Sequence, residues 1–155
     1  MPIPFPRLNL PLVKLQIKKK LDKLYVFDIT RKKELLITPE EWVRQHIIHF
    51  LKEKYHYPFS LMSSEGALKI NANLQRYDLV CYGNNGKPLL LVECKAPEVK
   101  LTQAVFDQAA RYNYQLKVPY ILITNGMEHY CCKVDLNNKT FIFLDSIPDY
   151  TTLCP

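Results

Sequence analysis

The sequence predicts an α/β fold with a mixed central sheet, and three observations carry that prediction. Apolar residues recur at helical spacing in segments 38–54 and 101–117, with stretches of strand character before, between and after them. Residues 89–92 and 118–124 are apolar enough to lie in the middle of a sheet. The Asn84-Asn85-Gly86 turn between two strand-like segments predicts a hairpin. The core order is therefore helix, three strands, helix, strand, with a hairpin in front and a β tail behind.

Taken in order, residues 1–12 hold prolines at 2, 4, 6 and 11 and are expected to be extended. Residues 14–19 alternate, Leu15 and Ile17 against Gln16 and Lys18, which suggests a short strand. Segments 24–29 and 34–37 flank the polar stretch 30–33 and read as a hairpin. The first helix has a clear start: Thr38 as N-cap, Pro39 at the first helical position, and Glu41 completing a Thr-x-x-Glu capping box. Val43, Ile47, Phe50 and Leu51 form its apolar stripe, and Tyr57 and Pro58 mark its exit. Residues 59–70 are expected to be extended, with a bend at Gly66, and 74–82 to pair with 89–95 across the turn. The second helix carries Val105, Ala109, Tyr112 and Leu116 on one face. The strand over 118–124 ends at Asn125 and Gly126, 129–134 returns antiparallel to it, and 140–144 is the last strand. The whole reads as one domain: a basic extension over 1–37, a core over 38–134, and a strand and tail over 135–155.

Charge is distributed unevenly. The net charge of +6 divides into +7 over residues 1–33 and −1 over the rest, so a near-neutral domain follows a basic front end. Apolar residues at 48% and charged residues at 23% of 155 suffice for a core. No apolar run approaches the roughly 20 residues that span a bilayer, and the proline-rich start lacks the apolar stretch of a signal peptide. Five cysteines without a Cys-x-x-Cys pair support neither a disulfide framework nor a structural zinc site. Reduced thiols and a cytoplasmic location are expected, with no membrane partner.

The chemistry is concentrated in Arg76-Tyr77-Asp78 and Val92-Glu93-Cys94-Lys95. Asp78 interrupts an apolar strand, and Glu93 and Lys95 end another. Because side chains alternate along a strand, Glu93 and Lys95 share one face and Cys94 takes the other. The hairpin brings Asp78 alongside, so three charged groups meet where burial is costly unless they are paired or bind a metal. An acid-x-Lys tripeptide alone is weak, since about 1.5 chance occurrences are expected at this composition. It occurs twice, and Glu98-Val99-Lys100, which follows Pro97 and sits on no apolar strand, is set aside. The bland reading of the other copy is an ion triad in which Lys95 neutralises one carboxylate.

These segments, in this order, resemble the PD-(D/E)XK nuclease superfamily. Within it the chain is similar to the N-terminal endonuclease domain of type I restriction enzyme R (motor) subunits and their free-standing relatives. The resemblance spans roughly residues 24–134. Its other segments are Phe27-Asp28 through Arg31-Lys32-Lys33, Thr38-Pro39-Glu40-Glu41-Trp42-Val43-Arg44-Gln45, Ala96-Pro97, Gln108-Ala109-Ala110-Arg111-Tyr112, Val118-Pro119-Tyr120 and Thr124-Asn125-Gly126. Tyr77 stands where the superfamily's name has proline, a position that often departs from proline.

The resemblance implies a restriction-endonuclease-like core. It implies that Asp78, Glu93 and the main-chain carbonyl of Cys94 hold Mg²⁺, with Mn²⁺ as a substitute, and that Lys95 sits by the attacking water and the phosphate. It implies an acidic ligand from the first helix, for which Glu40 and Glu41 compete. Glu40 is favoured, because it shares the face of Val43 and Ile47 while Glu41 serves the cap. Gln108 and Tyr112, one helical turn apart, resemble the Gln-x-x-x-Tyr pair of RecB-type nucleases; core packing of Tyr112 is the alternative. Arg44, Arg76 and Arg111 are candidate phosphate contacts, as are Lys18, Lys19 and Lys20 of the basic front end, whose alternative role is to deter edge pairing. The four histidines show no metal-ligand spacing, and Trp42 reads as a packing residue.

No ATP site is expected: Gly86-Lys87 runs into Pro88, and Cys81 stands where a phosphate loop needs its first glycine. The expected function is Mg²⁺-dependent hydrolysis of phosphodiester bonds in DNA without an ATPase motor, alone, as a homodimer or in a larger restriction or defence assembly. The rival readings are a nucleic-acid-binding module without catalysis and a protein-assembly domain on a nuclease scaffold.

Overall fold

Three short antiparallel strands open the chain: β1 (Ile17–Lys20), β2 (Lys23–Asp28) and β3 (Lys33–Leu36), in that spatial order. The computed structural model describes residues 3–64, 67–70, 73–135 and 137–155, with side chains for all of these except 67–70, 73–76 and 115. Alternation along β2 puts Leu24, Val26 and Asp28 on one face, and Val26 and Asp28 are fully buried.

Helix α1 (Pro39–Tyr55) follows, and Thr38 Oγ1 accepts the Glu41 N–H at 3.1 Å, the predicted cap. Val43, Ile47, Ile48 and Leu51 have no exposed surface, each contributing about 1.5–3 kcal/mol relative to exposure. The helix ends at His56, whose φ of 64° is left-handed and whose N–H returns to Lys52 O.

The stretch expected as one extended segment divides into a 3₁₀ turn at Phe59–Leu61, strand β4 (Met62–Ser64) and strand β5 (Ala67–Ile70). Gly66, the expected bend, lies outside the described residues. The strand expected over 74–82 is also two: β6 (Asn73–Arg76), which pairs with β5, and β7 (Leu79–Tyr82) in the main sheet. Tyr77 and Asp78 form the break, so Asp78 sits at a bend before β7 rather than inside a strand. A side chain explains the break: Asp78 Oδ2 accepts the Cys94 N–H at 2.7 Å, taking the place of a ladder carbonyl.

Strand β8 (Pro88–Cys94) pairs antiparallel with β7 through the predicted turn, in which Gly86 has φ +80°. Helix α2 (Gln103–Leu116) crosses over to β9 (Tyr120–Thr124), parallel to β8. Strands β10 (His129–Asp135) and β11 (Thr140–Leu144) complete a mixed sheet of order β11-β10-β9-β8-β7-β4. A short helix, α3 (Tyr150–Leu153), was not expected; its start is capped by Asp149.

The sheet is covered on both faces. Val43, Ile47 and Leu51 of α1 pack with Leu79, Cys81, Leu90, Val92 and Leu122 on one side. Phe106 and Ala109 of α2 pack with Ile121, Ile123 and Val134 on the other. The helices therefore meet the C-terminal end of β8 from opposite faces.

Candidate functional site

Strand β8 sends Leu90, Val92 and Cys94 toward α1, and Leu91 and Glu93 toward α2. The Lys95 N–H donates to Thr124 O at 2.8 Å, which extends the β8–β9 pairing by one residue and holds Lys95 on the face of Glu93. On the other side of β8, Leu79 is opposite Val92, so the bend at Asp78 falls beside Glu93. The two carboxyl groups are near enough for Asp78 to act on the ionisation of Glu93.

That proximity has an electrostatic signature. Burial first, then the charge and hydrogen bond of Asp78, push Glu93 up to about 7, while Lys95 pulls it down. Glu93 thus gives up its proton only as pH rises to about 7.

Two recesses flank this point. On the α2 side, Glu93 and Lys95 meet Val105, Gln108, Ala109 and Tyr112. Gln108 Nε2 lies 3.4 Å from Tyr112 Oη as a donor, and Tyr112 is 42% exposed, which takes it out of the core. On the α1 side, Asp78 and Cys94 meet Thr38, Glu40, Glu41 and Arg44.

The two glutamates in the first turn of α1 face the other way round from the expectation. Glu40 is exposed and Glu41 is 4% exposed. Helical side chains lean toward the N-terminus, and exposed Glu40 lies at the mouth of the α1-side recess. Glu41 is held inside by residues one turn on: Arg44 Nε donates to its Oε2 at 2.6 Å, a second arm of Arg44 pairs with Oε1, and Gln45 Nε2 is 3.5 Å away. Arg31 adds an Nη2 donor at 3.3 Å. The Glu41 carboxylate is thus the centre of an ion network, not the returning half of a capping box.

Asp28 and Arg31 were not foreseen as members of that network. Fully buried Asp28 pairs with Arg31 Nε at 3.2 Å and accepts from Thr30 N at 2.8 Å and Thr30 Oγ1 at 2.6 Å. Burial alone would raise its pKa, but these donors hold it below its ordinary value. A signal existed in the sequence: Asp28 falls two residues after Val26, on the buried face of an alternating strand. Gln45, also unforeseen, is fully buried, and its Oε1 has no partner among the described residues.

The other candidate cations differ in setting. Arg44, expected as a phosphate contact, is 4% exposed and pairs with Glu41. Arg111 is exposed on α2, and the Arg76 side chain lies outside the described ones. Lys18 pairs with Glu34 at 3.1 Å, Lys20 pairs with the same carboxylate, and Lys19 lies 3.9 Å from Asp22. Trp42 is a packing residue, stacked on Phe5 and donating Nε1 to Pro6 O at 2.9 Å.

Among the described residues, no three His, Cys, Asp or Glu side chains form a group that could hold a metal ion. The oxygen donors that the β7–β8 register brings side by side are the Asp78 and Glu93 carboxylates. An all-oxygen set with two carboxylates fits Mg²⁺, which keeps several of its waters. Among the described residues, no helix is long and apolar enough to cross a membrane.

Comparison with known proteins accords with this architecture. No curated protein matches the chain at a significant level. A solved structure described as a fragment of an HsdR subunit assigned to a type I restriction enzyme, from Vibrio vulnificus YJ016, is similar with a TM-score of 0.51. The identity is 19%, over 74% of this chain and 24% of that one, so the likeness is one of fold and this chain spans about a quarter of its relative. The fold is restriction-endonuclease-like. The profile of the family described as "Type I restriction enzyme R protein N terminus (HSDR_N)" matches residues 39–148, which include α1, α2 and every strand of the main sheet. The chain belongs to the type I restriction enzyme R protein N-terminus family.

Proposed function

We propose that this chain is a divalent-metal-dependent nuclease domain that hydrolyses phosphodiester bonds in DNA. One observation carries the reading: the β7–β8 register sets Asp78 beside Glu93, and Glu93 and Lys95 line one recess. Such clusters of mutually perturbed acids are characteristic of functional sites. Family membership adds support, since the family is the N-terminal part of a restriction enzyme subunit.

Asp78, Glu93 and the Cys94 carbonyl would hold Mg²⁺, or Mn²⁺ in its place, and Glu40 would reach the ion through water. When bound, the ion supplies Lewis-acid activation of water and of the scissile phosphate. The protein's own groups do the rest. Lys95, held by its backbone bond to Thr124, offsets negative charge developing on the phosphate. Gln108 and Tyr112 line the same recess and orient the phosphodiester by hydrogen bonding, and Tyr112 offers an exposed ring face. Arg111 on α2 adds a backbone phosphate contact. Translocation would come from the motor of an assembly, and DNA and further restriction subunits, or a second copy of this chain, are the proposed partners.

The test is cleavage of duplex and single-stranded DNA with Mg²⁺ or Mn²⁺, beside Asp78→Ala and Lys95→Ala. Each substitution is expected to lower the rate by roughly 10²–10³-fold, as loss of a transition-state charge partner does. Cutting that survives both changes would remove the site assignment. DNA binding with a steep salt dependence and no metal-stimulated cutting would instead identify a binding module.

A further inference from the structure

Strand β11 is the outermost strand of the main sheet: β10 takes one of its sides, and among the described residues no strand takes the other. Its outer side therefore offers main-chain N–H and C=O groups to another chain. The strand reads Thr-Phe-Ile-Phe-Leu, with no charge, proline or glycine to blunt the edge. Strand β1, at the edge of the small sheet, shows the contrast, with Lys18, Lys19 and Lys20 among its four residues. Ile142 is 63% exposed and Phe143 50% exposed, and they are the only sequence neighbours among the exposed large apolar side chains described.

Both faces of the sheet run apolar up to this edge. Phe141 and Phe143 alternate onto the α2 face, where Phe143 meets Phe106 edge to face with ring centroids 5.5 Å apart. Ile142 takes the opposite face, beside Lys133 of β10. The strand is also complementary to itself. Set antiparallel to a second copy about Ile142, it places Ile142 beside its own copy and each Phe141 beside the other copy's Phe143. At the two ends Lys139 then meets Asp145, twice by symmetry. Both of these residues are exposed, and any other register separates them.

We infer that β11 is a dimerisation edge: two copies of this chain pair antiparallel through Thr140–Leu144, joining their main sheets across a two-fold axis at Ile142. Such a pair uses up both free edges and closes. Strands β9 and β10 lie between this edge and β8, so the interface stands apart from Asp78, Glu93 and Lys95 and does not depend on their proposed chemistry.

The experiment is sedimentation velocity of the full chain across a concentration series, with far-UV circular dichroism to check folding. One strand pair is a small interface, so the dimer is expected to form with a Kd of about 1–100 µM. Ile142→Glu sets two carboxylates against each other across the axis while giving Lys133 of its own chain an opposite charge, and is expected to raise Kd more than about tenfold with the fold intact. Lys139→Asp and Asp145→Lys each set like charges together at both ends and are expected to raise Kd about tenfold; combined, they restore the pairs and bring Kd back to within about threefold of the parent. That rescue is specific to the register and needs folded chains, so it decides the matter even if Ile142→Glu does not fold. A parent that stays monomeric through this range, whatever other partner its edge takes, overturns the inference. So do oligomers that keep growing with concentration, a Kd that ignores Ile142→Glu, or a double exchange no better than the single ones.

Discussion

Glu93 carries the pH dependence of the site. Its ordinary value is 4.5, and in the fold it is pushed up to about 7 by burial and by Asp78. A cation must displace the proton that Glu93 holds. Mn²⁺ affinity is therefore expected to rise about tenfold per pH unit below about 7 and to level off above it. Calorimetric titrations on either side of that value check this, and an affinity that ignores pH across the range would rule out the raised Glu93 value. The same shift fixes the sign for stability. Between 4.5 and about 7 the unfolded chain has lost the Glu93 proton and the folded chain keeps it, so this group's contribution falls as pH rises through that window. Asp28 works in the opposite sense: held below its ordinary value, it contributes above that value and the contribution is lost as pH falls. Asp78, Glu93 and Lys95 were legible in the sequence because strand alternation and a hairpin are local rules. Asp28 was legible by the same alternation, yet the network it joins through Arg31 was not, since Glu41 lies on another element.

At the scale of elements, the turn between β9 and β10 shows how the N-terminal segment is fixed. Gly126 has φ +85°, and a Cβ there would lie 2.7 Å from Leu8 Cδ2 and 3.2 Å from Val43 Cγ2. Asn9 N–H donates to Gly126 O at 2.9 Å, so the extended segment before β1 docks on this turn. Gly126→Ala combines a left-handed backbone with overpacking and is expected to destabilise by about 1–3 kcal/mol, read from urea denaturation. A change within a few tenths would mean that the segment gives way and contributes little. The helices and most strands were readable from period and turn residues. The division of 59–70 and 74–82 was not, because a ribbon of β5 and β6 and a main-sheet pair of β4 and β7 share one local pattern of extended residues. Only the pairing partner tells them apart.

Across the whole molecule, the basic front end is less cationic than its residue count suggests. Lys18 and Lys20 share Glu34, and Lys19 faces Asp22, so these three lysines bring a net +1. Replacing all three with glutamine is expected to lower the slope of log affinity for DNA against log salt by about 1, where three free phosphate contacts would give about 2.7. An unchanged slope would assign the lysines to edge protection alone. The sequence by itself determined the α/β class, the two long helices with the Thr38 cap of the first, and the grouping of Asp78, Glu93 and Lys95 on one hairpin. Each of these follows from side-chain period and turn chemistry within a few tens of residues. The tertiary structure alone decided which of Glu40 and Glu41 faces inward, that Arg44 is buried, and that Asp28 and Arg31 complete its network. Helix phase relative to the sheet is set by packing, and an ion pair between distant elements is set by the charges that packing brings within reach.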